Sequence, residues 1–250
     1  MNIFDLKGRT ALVTGGSSGL GQGIALGLAE AGADIISVSR TSSRETVEQA
    51  RAYGVQAADI QADLSDHSQL EAVFQEALGL NGHIDILVNN AGIIRRTPAA
   101  EHSRQDWFDV INLNLSTAHF LSQLAGGHMI SRGSGKIINI CSMLSFQGGI
   151  NVPGYTASKH GIAGLTKAMA NEWASRGVQI NGIAPGYMST DNTTAIRENA
   201  ARYESISDRI PAGRWGTPDD LKGAAIFLSS SASDYVNGHI LCVDGGWLTR

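Results

Sequence analysis

Cysteine is scarce in this 250-residue chain, with only Cys141 and Cys242. Two are too few for the disulfide framework that stabilises small secreted domains. Each closes an apolar run, so both are expected as buried free thiols. Net charge is also small, −4, which removes the basic footprint of a protein that binds nucleic acid or anionic membrane. No uninterrupted apolar run is long enough to cross a bilayer. The opening "MNIFDLKGRTALVTGG" has no basic segment followed by an apolar one, so no secretory leader is expected and the cytoplasm is the expected compartment. The seven histidines have no metal-ligand spacing with cysteines or carboxylates, so no catalytic metal is expected. Pro/Gly/Ser-rich linkers, composition shifts and internal repeats are absent too, which leaves residues 1–250 as one domain.

What the chain does have is apolar content, 42% against 17% charged residues, enough for a substantial core. Short β-rich runs alternate with longer helical patterns. "TALVTG" (10–15), "DIISVS" (34–39), "VQAADI" (55–60), "IDILVNN" (84–90), "KIINIC" (136–141), "VQINGIAP" (178–185) and "HILCVD" (239–244) read as strands. Most are nearly continuous apolar runs, the pattern of strands covered on both faces. Helical segments lie between them, such as "SDHSQLEAVFQEALG", with Ser65 as its expected N-cap and Gly79 at its end. This alternation predicts an α/β fold: a Rossmann-type, doubly wound parallel sheet of about seven strands, with helices on both faces. A less regular segment, about 187–216, interrupts the alternation and is expected to cover a binding site.

The first strand runs straight into "TGGSSGLG" (14–21). Glycines between a strand and a helix start permit a tight turn and close backbone approach, and the helix N-terminus offers unpaired N–H groups to a pyrophosphate. Gly15, Ser17, Ser18, Gly19, Leu20 and Gly21 are therefore candidate cofactor contacts. Asp63 and Leu64, beyond the third strand, suit an adenine. "NNAG" ends the fourth strand, where ligands of open parallel sheets collect, which adds Asn90, Ala91 and Gly92. At the end of the second strand an acidic residue would bind the ribose 2′-hydroxyl of NAD, whereas arginine would accommodate the 2′-phosphate of NADP. Ser39 stands at that position and Arg40 follows it, which permits NADP.

"GYTASKH" (154–160) places Tyr155 one helical turn before Lys159. With five tyrosines and five lysines in the chain, composition alone yields roughly 0.1 such pairs, so the spacing needs support from elsewhere. Ser142 supplies it, at the end of the fifth strand and thirteen residues upstream. A tyrosine hydroxyl alone is a poor base at neutral pH, but an adjacent ammonium favours the phenolate. Such a tyrosine can take a proton from an alcohol, or return one to a carbonyl, as hydride moves to or from a nicotinamide. Ser142 would hold the carbonyl oxygen, and Asn114 in "NLNLSTAHF" could position a water near Lys159.

"TGGSSGLG", "NNAG", Asn114, Ser142, Tyr155-x3-Lys159 and Pro185–Gly186 occur in the order and spacing of the short-chain dehydrogenase/reductase family, which the whole chain resembles. That resemblance implies a Rossmann-type fold, a nicotinamide cofactor and a catalytic tetrad of Asn114, Ser142, Tyr155 and Lys159. It also implies that Pro185, Gly186 and Thr190 contact the nicotinamide end, that Tyr155 and Lys159 adjoin the cofactor, and that the protein is a homotetramer. "AGIIRR", "SMLSFQGGI", "APGYMSTDNT" and "DRIPAGRWG" are similar to segments of family members that oxidise sugar acids. This implies a small sugar-acid substrate and, for those members, NAD, with NADP left open by Ser39 and Arg40. Arg95 or Arg96 would bind the carboxylate, Gln147 and Tyr187 would meet hydroxyls, and Met143 and Met188 would wall the pocket. A ketoacyl reductase or steroid dehydrogenase of the same family is the nearest rival. A catalytically silent nucleotide-binding protein is a remote one.

Overall fold

Every strand of the computed structural model, which describes residues 2–250, joins one sheet whose neighbours all run parallel. The strands are β1 (Thr10–Thr14), β2 (Asp34–Ser39), β3 (Ala57–Gln61), β4 (Ile86–Asn89), β5 (Gly135–Ile140), β6 (Val178–Pro185) and β7 (Ile240–Val243). Their spatial order is β3-β2-β1-β4-β5-β6-β7. The seven expected strands form, β2 and β6 with the expected ends and the others with ends shifted by at most two residues.

Successive side chains of a strand point to opposite faces, and each face here has its own core. Ala11, Val13, Ile35, Ile86, Val88 and Ile138 pack on one side with Ile24 and Leu28 of α1 (Gly19–Glu30) and Ala225 and Leu228 of α9 (Lys222–Ser229). Leu12, Ile36, Val38, Leu87 and Ile137 pack on the other with Phe74 of α3 (Leu70–Asn81) and Leu121 and Met129 of α5 (Thr117–Arg132). Leu12 is fully buried, which contributes about 1.5–3 kcal/mol relative to an exposed side chain. Two-sided burial is why the strand runs lack a polar alternate.

The chain winds one way from β1 through β3, then returns past β1 to β4 and continues the other way. That reversal opens a crevice at the carboxyl ends of β1 and β4, the ligand position of open α/β sheets. The crevice floor is tied together by side chains. The Asn90 and Ala91 amides donate to Thr14 Oγ1 at 2.9 and 3.0 Å, and Asn90 Nδ2 donates to Thr14 O at 2.8 Å.

Three local expectations need correction. Asp66, not Ser65, caps the 3-10 turn that leads into α3, accepting from the Ser68 amide, and α3 runs through Gly79 to end at Gly82 with φ 74°. Cys141 is buried, but Cys242 is exposed, because β7 is the sheet's edge strand and has a neighbouring strand on one side only. The segment 187–216 is more regular than its composition suggests, containing α7 (Thr194–Arg197) and α8 (Ala200–Ser207). The remaining helices are α2 (Arg44–Arg51), α4 (Arg104–Ile111) and α6 (Pro153–Trp173). No helix is long and apolar enough to cross a membrane, among the described residues.

Candidate active site

Beyond β1 the chain turns through Gly15 (φ 67°) and Gly19 (φ 55°), a backbone region that glycine enters without steric cost. Ser18 precedes α1 in extended backbone but makes no side-chain cap bond. The first N–H groups of α1 thus remain available to an anion. Gly21 packs so closely that a Cβ there would collide with Gly15 O and Asn90 Nδ2. Thr190, after β6, lies over the same turn, its side chain 3.8 Å from where a Gly19 Cβ would stand. Gly186 is equally confined, against the Asp244 backbone.

At the adenosine end, Ser39 is buried and its Oγ accepts from the Ser17 amide at 3.2 Å. It bonds the glycine-rich turn and brings no charge. Arg40 is exposed, and its guanidinium has no hydrogen-bond or ion-pair partner among the described residues. Asp63 is exposed, and its Oδ1 takes the Ser65 amide and hydroxyl at 3.0 and 2.7 Å. Those two bonds hold its carboxyl below the usual carboxylate range, so it stands ionised as an acceptor. Leu64 beside it is buried.

At the other end of the crevice, β5 stops at Ile140 and Ser142 begins a 3-10 turn, accepting from the Leu144 amide at 3.1 Å. Proline at the first position of α6 suits its fixed φ and puts Tyr155 in the first turn, half-buried. Lys159 is 6% exposed, so its ammonium needs internal partners. Nζ donates to Ile140 O at 2.6 Å and sits 5.5 Å from the Tyr155 ring centre. Asn114 is 3% exposed and grips the backbone after β4: Ile93 N–H donates to Oδ1 at 2.8 Å, and Nδ2 donates to Ile93 O at 2.9 Å. The tetrad suggested by the resemblance therefore converges on the crevice from β5, α6 and the helix before α5. Cys141, adjacent, is pushed up to about 11 by burial and stays a neutral thiol.

Two further serines, unmarked in the sequence motifs, brace this group. Ser145 Oγ accepts from the Ser142 amide at 3.2 Å and donates to Lys159 O at 2.7 Å, joining the strand end to α6. Its position three residues after Ser142, a capping-box spacing, was the available signal. Ser158 Oγ donates to Tyr155 O at 2.7 Å and receives Asn114 Nδ2 at 3.3 Å; no local pattern marks it.

The substrate-side residues are less uniform. Arg95 is committed to Asp106 and Asp109 of α4, at 3.4 and 3.1 Å, so its charge is neutralised within the chain. Arg96 is exposed and donates to Asn192 O at 3.1 Å, linking the rim after β4 to segment 187–216. Tyr187 packs against Trp215 and Trp247, ring centres 5.1 and 4.8 Å away. Met143 belongs to that aromatic cluster, whereas Met188 packs in the core beneath α1 and α9. Gln147 is half-buried, and its backbone N–H donates to Met143 O at 3.2 Å. Among the described residues no group of three or more His, Cys, Asp or Glu is arranged to hold a metal ion.

A dinucleotide crevice, an uncapped helix start above it and a Ser–Tyr–Lys group at its far end define a Rossmann-type, cofactor-dependent oxidoreductase. The profile of the short chain dehydrogenase family matches residues 9–201. The chain belongs to that family and is an NAD(P)-dependent alcohol dehydrogenase. It is 58% identical to 2-dehydro-3-deoxy-D-gluconate 5-dehydrogenase of Bacillus subtilis, spanning all of this chain and 98% of that one. It is 55% identical to the enzyme of the same name from Escherichia coli, over all of this chain and 99% of the relative. A crystal structure from Agrobacterium tumefaciens, of a candidate 2-deoxy-D-gluconate 3-dehydrogenase with bound NADP, superposes with TM-score 0.94 at 51% identity, covering both chains completely.

Proposed function

We propose that this enzyme interconverts a secondary alcohol and a ketone on a deoxy sugar acid, with 2-dehydro-3-deoxy-D-gluconate as the preferred substrate. The observation that carries this reading is the 58% identity, over the whole chain, to a relative of that activity, together with an intact Ser142–Tyr155–Lys159 group. Gluconate is the alternative substrate: a gluconate 5-dehydrogenase of Gluconobacter oxydans is 43% identical over 98% of this chain.

A bound NAD(P) would supply hydride transfer at its nicotinamide ring. In the oxidation direction Tyr155 takes the proton of the substrate hydroxyl as the carbon gives up hydride, and in reduction it returns one to the carbonyl oxygen. Ser142 donates a hydrogen bond to that same oxygen. Lys159, anchored on Ile140 O, sets its ammonium beside the Tyr155 ring and would hold the nicotinamide ribose. Asn114 holds the rim after β4 and a water for the proton path. Arg96, unpaired with any carboxylate, takes the substrate carboxylate; the carboxylates around Arg95 make it the weaker choice. Segment 187–216 then closes the site, latched through Arg96 and Asn192.

Substrate choice is tested by scanning the purified enzyme with both cofactors against 2-dehydro-3-deoxygluconate, 2-deoxygluconate and gluconate. The expected result is the highest kcat/KM with the first. No cofactor-dependent absorbance change with any of the three would overturn the assignment.

For the cofactor we propose that NADP is accepted through Arg40. The neutral Ser39 puts no carboxylate at the end of β2 to repel a 2′-phosphate, and the exposed Arg40 guanidinium makes no hydrogen bond or close ion pair among the described residues, its charge acting on Asp63 only at longer range. Arg40→Asp should weaken NADP binding by about tenfold or more, the scale of a lost charge-assisted contact, while NAD affinity holds or improves. Equal loss of both cofactors in a fluorescence titration would refute a 2′-phosphate role. We also propose a cytoplasmic homotetramer. The apolar face shared by α5 and α6, which includes Phe120, Gly161, Gly164 and Leu165, suits contact with a second copy, and light scattering would register a monomer if this is wrong.

A further inference from the structure

The helix that carries Asn114 is not continuous. Between α4 and α5 the backbone widens into one π turn, Asn112–Ser116. There the Asn112 carbonyl takes the Thr117 N–H, five residues on, instead of the usual four. Single π turns cluster at functional sites, because a wider, poorer hydrogen-bond ring needs support from elsewhere. Here the support comes from another element.

His67, in the short 3-10 turn before α3, brings Nε2 within 3.2 Å of Asn112 O and within 3.2 Å of Thr117 Oγ1. Thr117 Oγ1 in turn lies 2.7 Å from Leu64 O and 3.0 Å from Asn112 O. A threonine hydroxyl has one proton, and the shorter contact assigns it to Leu64 O. Asn112 O then takes its side-chain hydrogen from His67, which requires the Nε2–H tautomer. The imidazole is held edge-on by the Phe120 ring, centres 5.0 Å apart. Thr117 is 2% exposed, so water cannot replace its bonds.

Two consequences meet at this junction. Asn114 sits at the middle of the π turn, and its amide is matched to Ile93 at both atoms. Relaxing the turn to α geometry would rotate Asn114 by one residue's worth, about 100°, and carry it off Ile93. The same threonine also fixes the backbone at Leu64, on the adenosine side of the crevice. We propose that His67 and Thr117 are positioning residues. They hold the π turn that aims Asn114, and they couple it to the loop expected to meet the adenine. The effect on turnover rests on the role given to Asn114 above.

The test compares Thr117→Val, which keeps the shape and loses the hydroxyl, with Thr117→Ser, which keeps the hydroxyl. It likewise compares His67→Leu with His67→Gln, whose Nε2 can still donate. Kinetics use whichever alcohol the wild-type enzyme oxidises best, and hydrogen exchange at the Ile93 amide reports Asn114 directly. Thr117→Val and His67→Leu should lower kcat about tenfold or more, the scale of a displaced catalytic group, with alcohol KM changed less than about threefold. Both should speed Ile93 exchange by about tenfold, a local opening. Thr117→Ser and His67→Gln should recover most of both losses. Wild-type kcat and Ile93 protection in the Val and Leu variants would overturn the proposal, as would a fall in kcat with Ile93 protection unchanged, or Ser and Gln variants no better than Val and Leu. Should Thr117→Val fail to fold, the His67 pair decides the same question. Should wild-type enzyme oxidise none of the alcohols, the functional reading fails while the exchange comparison still decides the clamp.

Discussion

Tyr155→Phe is expected to lower kcat by about 10²- to 10⁴-fold, the range supplied by a positioned proton-transfer group, and to leave cofactor affinity within about threefold of wild type. The substitution removes one oxygen and keeps the ring, so the packing of α6 against β5 is preserved. Lys159 also keeps its bond to Ile140 O, 2.6 Å long, because that bond does not involve the phenol. What disappears is the hydroxyl proposed as the proton carrier at the end of the crevice. Steady-state absorbance of the reduced cofactor measures the loss, and fluorescence titration measures binding separately. Turnover close to wild type would eliminate Tyr155 as the acid/base. A parallel collapse of cofactor binding would instead make it a structural or ribose-binding residue.

Gly21→Ala should remove cofactor binding by a different route. The added methyl has nowhere to go: its Cβ would stand inside contact distance of Gly15 O and Asn90 Nδ2. One of these is backbone, and the other is tied to Thr14 O at 2.8 Å, so neither yields cheaply. Overpacking of this kind costs about 1–3 kcal/mol. At this chain length each kcal/mol lowers Tm by about 2–4 °C. Shifting α1 to relieve the clash would also move the N–H groups proposed to meet the cofactor phosphates. The dissociation constants of NAD and NADP are expected to rise together by about tenfold or more, unlike the selective loss with Arg40→Asp. Calorimetry and titration check both halves; unchanged Tm and affinity would show that the turn tolerates a side chain.

Much of the fold and site is legible in the residues themselves. The strands announce their positions because burial on both faces requires apolar residues at consecutive positions. The nucleotide turn is readable because only glycine enters the positive-φ backbone at 15 and 19 without strain. The convergence of Ser142, Tyr155 and Lys159 follows from one strand end and one helical turn. Where sequence and structure part, the deciding contact is close in sequence but unmarked, or distant. Asp66 rather than Ser65 caps the turn before α3, since one residue's change in backbone direction decides which side chain faces the amides.

The sequence by itself determined the sheet, the glycine turn after β1 and the identity of the chemical groups, because periodicity, glycine conformation and strand-end position are local properties. Tertiary structure alone decided which charges remain usable and how the site is held. Arg95 is neutralised by Asp106 and Asp109 while Arg96 is not, although the two arginines are adjacent and alike in sequence. Cys242 is exposed because β7 lies at the sheet's edge, a fact of strand order. The π turn beneath Asn114 depends on His67, 45 residues away along the chain from Asn112. Such pairings arise from through-space placement, and no spacing along the chain encodes them.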